Sequence, residues 1–334
     1  MALGRPKGGK RLAPPAHFAH KGVQVKGSAG PARSLLRLAL GLAVEASEHE
    51  PLAPRTSIRA GGRAELFVQP RSVDALAVLL QRANQEGIPV HVLGGGANTL
   101  VGDGGLPGLT LKLPANLVPE ERQSLEDGGL LTLGAGAAIV RLVNAMRAQG
   151  WVGAEFLAGI PGTLGGALAM NAGTKHGECQ QVLDAVELAT ANGVGWVART
   201  ELAIGYRHTA LPPSSVALRI RFRLRTGNVE ASRAAMEADL GYRKRTQPLS
   251  QPNCGSVFQN PPGEYAGRLI EAVGLKGYTL GSARISELHA NWIVNLGDAA
   301  ARDVAGLIDL AQVRVHEDKG ITLVPEVKRV GIFT

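Results

Sequence analysis

Val90-His91-Val92-Leu93-Gly94-Gly95-Gly96-Ala97-Asn98-Thr99-Leu100-Val101 is the stretch on which the fold turns. Residues 90–93 read as a short buried strand, and the chain leaves the glycines toward a second apolar strand at 109–113. The glycine loop therefore joins strand to strand. A Rossmann turn needs its glycines to open a helix, and a P-loop needs Lys and Ser or Thr after the last glycine, so both familiar phosphate motifs fail. Upstream, Ser72 and Asp74 open a helix whose Leu76, Leu79, Leu80 and Ala83 recur at helical spacing, and Gly87 with Pro89 ends it.

A second glycine-rich stretch, Gly159-Ile160-Pro161-Gly162-Thr163-Leu164-Gly165-Gly166, precedes the small-residue run 167–172. Two such loops can aim several backbone N–H groups into one concavity and hold a diphosphate. On spacing alone they read equally well as two tight turns. After Arg223 the composition changes. A helix is expected over 228–240, followed by the basic cluster Arg243-Lys244-Arg245, and a domain boundary is expected near 228. Further helices are expected over 266–273 and 300–316, with a strand over 291–294. No internal repeat occurs.

The 334 residues leave room for about two domains. With 45% hydrophobic and 19% charged residues the chain is neither disordered, collagenous nor coiled-coil in composition. Two cysteines, Cys179 and Cys254, give no disulfide framework, and no metal site is expected. The net charge of +8 sits mostly in residues 1–34, which hold seven basic and no acidic side chains. The rest is nearly neutral, which speaks against nucleic-acid binding. Residues 1–34 read as a disordered basic tail, although an acid-free basic start also resembles a transit peptide. No run is apolar for long enough to span a membrane, and 35–46 reads as a first amphipathic helix rather than a signal segment. A cytoplasmic monomer is the expectation.

Five blocks in order carry a family resemblance: Thr56 to Gly62 (TSIRAGG), Gly94 to Val101, Gly159 to Gly173 (GIPGTLGGALAMNAG), Tyr206-Arg207, and Gly255 to Pro261 (GSVFQNP). Ala266 to Glu271, Leu275-Lys276-Gly277, Ser286 to Asn291 and Pro325-Glu326-Val327 extend them to the C-terminus. Together they resemble the UDP-N-acetylenolpyruvoylglucosamine reductases, over about residues 35 to 334, in the shorter subtype that lacks an extra substrate-closing loop. Ala97 and Thr209 stand where the family usually has Ser.

The resemblance implies an α+β fold: a two-lobed FAD-binding region of the vanillyl-alcohol oxidase type at 35–227, completed by 321–334, and an α+β substrate domain at 228–320. The final strand, carrying Glu326, would return to the first lobe. The implied cofactors are non-covalent FAD, with Cys179 and His176 not taken as attachment points, and NADPH as electron donor. The implied substrate is UDP-N-acetylglucosamine enolpyruvate, reduced to UDP-N-acetylmuramate for the cell wall. FAD would lie on Gly94, Gly95, Gly96, Ala97, Asn98, Thr99, Gly159, Ile160, Pro161, Gly162, Gly165 and Asn171. The substrate would meet Tyr206, Asn260, Lys276 and His289, with the 243–245 cluster adding positive potential.

The chemistry explains the implied catalytic set of Arg207, Ser256 and Glu326. Hydride addition to the terminal carbon of an enolpyruvyl ether pushes negative charge into the adjoining carboxylate. Arg207, permanently charged and planar, suits that carboxylate because charge-assisted bonds strengthen as charge develops. Ser256 is the implied donor of the proton that the carbon next to the ether oxygen then requires, and Glu326 would polarise the intermediate or relay a proton. The rivals are an FAD oxidase of the same fold and a non-catalytic flavin or nucleotide-sugar binder.

Overall fold

The computed structural model describes residues 35–333, with 37, 40 and 43 excepted, so the reading of 1–34 as a tail lies outside the described residues. The first lobe is built on a four-stranded sheet in the order Val44–Pro51, Arg63–Pro70, Leu106–Leu111, Val90–Val92. Its last three strands are mutually parallel where they pair. Helix Val73–Gln85 provides the crossover and starts where expected, with the Ser72 hydroxyl accepting the Ala75 N–H. Its Leu76, Leu79, Leu80 and Ala83 are buried, in one core with Leu66, Val68, Leu109 and Leu111.

Three expectations need correction here. The expected helix over 35–46 gives way to a strand at Val44, because Val44 and Ala46 alternate with the polar Glu45 and Ser47 at period two and pair with Pro70 and Val68. The strand at 90–92 is not fully buried. It ends the sheet, and Val92 is 51% exposed. The strand placed at 109–113 is Leu106–Leu111, and a short strand, Thr99–Val101, intervenes between it and the glycines.

The second lobe is an antiparallel sheet in the order Gly193–Ala198, Leu183–Thr190, Val216–Thr226, Gly128–Gly134, Glu121–Leu125, with Trp151–Val152 on the end of the long central strand. Helices Ile139–Ala148 and Leu164–Ala169 belong to this lobe. The first core continues from one lobe into the other through Leu131, Leu133, Val186 and Phe222.

Helix Val229–Thr246 runs past the expected end and carries Arg243, Lys244 and Arg245 in its last turn, where cations suit the carbonyl end of a helix. Its Met236 lies in the first core, and Ser232 donates to Glu155 at 2.7 Å. Beyond it stands an antiparallel sheet in the order Asn253–Ser256, Trp292–Asn295, Ala283–Ile285, Thr279–Leu280, with helices Ala266–Ala272 and Ala301–Lys319. These elements share a second core that also takes in Ile58, Ala60 and Leu100.

The chain returns to the first lobe at its end, where Lys328–Val330 pairs in parallel with Thr99–Val101. Glu326 precedes this strand rather than sitting in it. The two parts are also joined by a cap. Both carboxylate oxygens of Asp103, on the first lobe, accept the Ala301 and Arg302 N–H groups that begin the long helix, at 2.8 and 2.9 Å. Loss of such a cap costs about 1 kcal/mol. Asp103→Ala is therefore expected to lower the melting temperature by a few degrees in calorimetry while flavin content stays unchanged.

Candidate active site

The two glycine loops meet. A Cβ on Gly94 would come within 2.5 Å of the Thr163 hydroxyl, and one on Gly95 within 2.7 Å of the Gly162 Cα. Gly96, at φ 64°, packs so closely on the Arg55 carbonyl that no side chain fits. At Gly95 and Gly96 glycine is required because backbone lies directly against backbone, and at Gly94 because the Thr163 side chain fills the space. Among the described residues, the N–H groups of Gly94 through Asn98 donate to no protein acceptor. A row of free N–H groups in a turn is the concavity that binds a phosphate anion. The residues present thus fit the diphosphate of FAD.

The loop is also the hinge of the site. Ser57 donates its N–H to the Gly96 carbonyl and its hydroxyl to the Asn253 carbonyl at 2.7 Å, and Asn253 donates back to Ser57. Asn98 donates its side-chain amide to the Glu326 carbonyl and accepts the Lys328 N–H. The Glu326 N–H in turn donates to Val257, next to Ser256, at 2.8 Å. Glycine loop, Ser256 strand and Glu326 segment are therefore one hydrogen-bonded unit.

Tyr206 and Arg207 form the two-residue turn of the hairpin Ala203–Gly205 to His208–Ala210, and Arg207 is held at φ 55°. A non-glycine residue in that region is strained, and such strain gathers at functional sites. The Arg207 guanidinium is largely buried and stands over the Tyr206 ring, 4.8 Å from its centroid. Its Nη2 donates to the Gly173 carbonyl at 3.0 Å, and its Nε lies 3.4 Å from Glu326 Oε1. Its Nη1 is buried with no hydrogen-bond partner. Burial pushes the Glu326 carboxyl above the usual glutamate value, against the opposing charges of Arg207 and Lys328.

That shift gives a testable pH dependence. An acid whose folded value is raised contributes stability that is full below its unfolded value, about 4.3, and lost as pH rises through the folded value. Glu326→Gln removes the cost of burying the charge. The variant is expected to melt higher than the parent at pH 8, and the two melting curves should converge as the pH falls toward the ordinary glutamate range.

The other expected site residues divide. Ile160 leans on the first core, and Gly165 donates to the Ala135 carbonyl at the start of helix Leu164–Ala169. Gly159 lies against Leu240 of helix Val229–Thr246, and Pro161 is exposed. Asn171 is buried and its amide is spent within the protein, donating to Glu178 and Gly205 and accepting from Gln180, so its side chain has little left for a cofactor. Tyr206 is half exposed. Asn260 accepts the Ala266 N–H, leaving its amide hydrogens free. Lys276 pairs with Glu271 at 2.8 Å. His289 accepts the Asn291 N–H on Nδ1, and burial, helped by the Lys276 charge and opposed by that of Glu271, pushes the imidazole below the usual histidine value. Lys276 and His289 thus form a group with Glu271, joined to Arg207 and Glu326 by no direct contact.

Two features escaped the sequence reading. Glu178, on the hairpin pair Gly173–Thr174 and Gly177–Glu178, stands 3.7 Å from Arg207 Nη1. A cleft of about 480 Å³ opens between Lys244, Gln247 and Ser250 on one side and Arg284, Ser286 and Glu287 on the other. Lys244 was expected only to add positive potential, and the cleft gives it a wall to line. Both cysteines are buried with thiols pushed up to about 12, which leaves neither a reactive thiolate, and His176 faces Asp239 at 3.3 Å.

Two joined lobes with paired glycine loops define an FAD-binding flavoprotein of the vanillyl-alcohol oxidase type. The FAD binding domain profile matches residues 64–197, and the profile described as UDP-N-acetylenolpyruvoylglucosamine reductase, C-terminal domain, matches 247–330. The chain belongs to the UDP-N-acetylenolpyruvoylglucosamine reductase family and is a flavin-dependent oxidoreductase. It is 66% identical to the reductase of Myxococcus xanthus over 86% of this chain and 93% of that protein. It is 44% identical to that of Nitrosomonas eutropha, over 86% and 89%. The crystal structure of the Thermus caldophilus reductase superposes with a TM-score of 0.71 at 36% identity, covering 86% of this chain and 99% of the other. Among the described residues no helix is long and apolar enough to cross a membrane.

The loop contact yields a further prediction. Gly95→Ala would force the two glycine loops apart, and about tenfold weaker FAD retention, roughly 1.4 kcal/mol, is expected. The ratio of flavin to protein absorbance after gel filtration measures it.

Proposed function

We propose that the chain reduces UDP-N-acetylglucosamine enolpyruvate to UDP-N-acetylmuramate in the cytoplasm, with NADPH as electron donor, as a monomer. Residues 35–227 with 321–334 serve as the FAD region, and 228–320 as the substrate domain, with helix Val229–Thr246 leading from one to the other. The observation that carries the reading is the buried Arg207, whose unpartnered Nη1 faces Glu178 while its Nε faces Glu326. An unpaired buried guanidinium N–H is costly unless an anion takes it, and the substrate carboxylate is such an anion.

FAD, when bound and reduced, supplies the hydride. Arg207 holds the substrate carboxylate and gains strength as negative charge flows into it. Ser256, on the strand hydrogen-bonded to the Glu326 segment, gives its hydroxyl proton to the carbon bearing the ether oxygen. Glu326, whose carboxyl burial pushes above the usual glutamate value, flanks that carbon and restores the serine proton. Gly94 to Asn98 offer their backbone N–H groups to the cofactor diphosphate, and Thr99 with Gly159, Ile160, Pro161, Gly162 and Gly165 line its seat, with Asn171 acting through the backbone it orders. Tyr206, Asn260, Lys276 and His289 receive the nucleotide sugar, and the cleft beside Lys244 adds a cation for its diphosphate. The test is steady-state NADPH consumption, which this reading expects to depend on added enolpyruvyl substrate. Consumption unaffected by that substrate contradicts it.

A further inference from the structure

We propose that Glu178 is a positioning residue that shares the Arg207 guanidinium with Glu326 and so keeps it free for the substrate carboxylate. The inference rests on the reading of Arg207 given above. Glu178 sits across the hairpin from Gly173, whose carbonyl takes Arg207 Nη2. Its own carboxylate is held on the far side. Asn171 donates to Oε2 at 2.8 Å and Gln180 donates to the same oxygen at 3.0 Å, leaving Oε1 turned toward Arg207 Nη1 at 3.7 Å. Asn171 also donates to the Gly205 carbonyl, so one buried amide fixes both Glu178 and the turn that carries Arg207. Asn171 and Arg207 both adopt positive φ, at 40° and 55°, and local strain of that kind persists only where the surroundings impose it. The hairpin tip is tied down as well, with His176 on Asp239 and Lys175 over the Tyr242 ring, both on helix Val229–Thr246.

The arrangement has an electrostatic consequence. Glu178 faces Nη1 and Glu326 faces Nε of one guanidinium, at 3.7 and 3.4 Å, and neither carboxylate forms a hydrogen bond with it. With only the Gly173 carbonyl to hold it, Arg207 would close on Glu326 and both charges would be spent on each other. Glu178 opposes that closure. It leaves Nη1 available to an incoming anion and leaves Glu326 less compensated by Arg207. The charged groups facing this pair are Glu178, Glu326 and Lys328, with the Tyr206 ring beneath the guanidinium.

The test is made on the FAD-loaded protein with Glu178→Gln and Glu178→Asp. For Glu178→Gln, the KM for the enolpyruvyl UDP-sugar is expected to rise at least about tenfold, as misplacement of a substrate clamp does. The limb of the pH profile governed by Glu326 should move to lower pH, because Glu326 then has Arg207 to itself. Flavin content, melting temperature and the rate of flavin reduction by NADPH should stay within about twofold of the parent. Glu178→Asp keeps the charge at greater distance and should fall between the two, and it carries the test if the Gln variant does not fold. An unchanged KM and pH profile in Glu178→Gln overturns the proposal, as does a limb that moves upward. A loss of flavin and melting temperature in both variants also overturns it, since it assigns Glu178 to holding the hairpin alone. If the parent itself, reduced by NADPH, fails to react with the enolpyruvyl substrate, the underlying reading of the site has failed instead, and this inference falls with it.

Discussion

Ser256→Ala is expected to accept electrons from NADPH at the parent rate and to return them to the enolpyruvyl substrate at least ~10²-fold more slowly, the usual cost of a lost general acid. The separation of the two steps follows from the serine's place. Ser256 ends a strand of the substrate-side sheet and is tied through Val257 to Glu326, so its removal leaves the glycine loops and their N–H groups untouched. Ser256→Cys should recover part of the loss, because a thiol can donate a proton and a methyl group cannot. Anaerobic stopped-flow absorbance of the flavin follows each step. An Ala variant that reoxidises at the parent rate would make Ser256 a packing residue and leave protonation to Glu326 or water.

Arg207→Ala should be more severe, with kcat/KM for the enolpyruvyl substrate down by ~10³-fold, about 4 kcal/mol of lost transition-state stabilisation. Both terms should change, because the guanidinium meets the carboxylate before and during charge development. Arg207→Lys should recover little. A lysine cannot keep one N–H on the Gly173 carbonyl while presenting a planar pair to a carboxylate. NADPH-driven reduction again serves as the internal control. A variant that loses both steps equally would place Arg207 in the architecture of the flavin region rather than at the substrate.

The blocks around Gly94, Gly159, Arg207, Ser256 and Glu326 are named through the family resemblance, and the structure brings the two glycine loops together and sets Arg207 beside Glu326. The strand-to-strand loop in particular follows from what lies on either side of it, and the structure keeps it, with one extra short strand at Thr99–Val101. What was illegible depended on tertiary contact. Val44 to Ala46 looked like the end of a helix, whereas pairing with Arg63–Pro70 makes them the start of a strand. Val90–Val92 looked buried because composition does not reveal which strand ends a sheet. Asn171 entered as a cofactor residue through its family block, and nothing in the sequence signalled that its side-chain amide binds Glu178, Gly205 and Gln180. Glu178 carried no signal of its own, since its importance lies in a contact with a residue 29 positions later.

The most direct measurement is a single anaerobic mixing experiment on the purified yellow protein. NADPH is expected to bleach the flavin, and UDP-N-acetylglucosamine enolpyruvate added next should restore the oxidised spectrum with UDP-N-acetylmuramate formed one for one by mass spectrometry. A flavin that stays reduced in the presence of that substrate and regains its colour only when oxygen is admitted would contradict the account and mark the protein as an oxidase of the same fold.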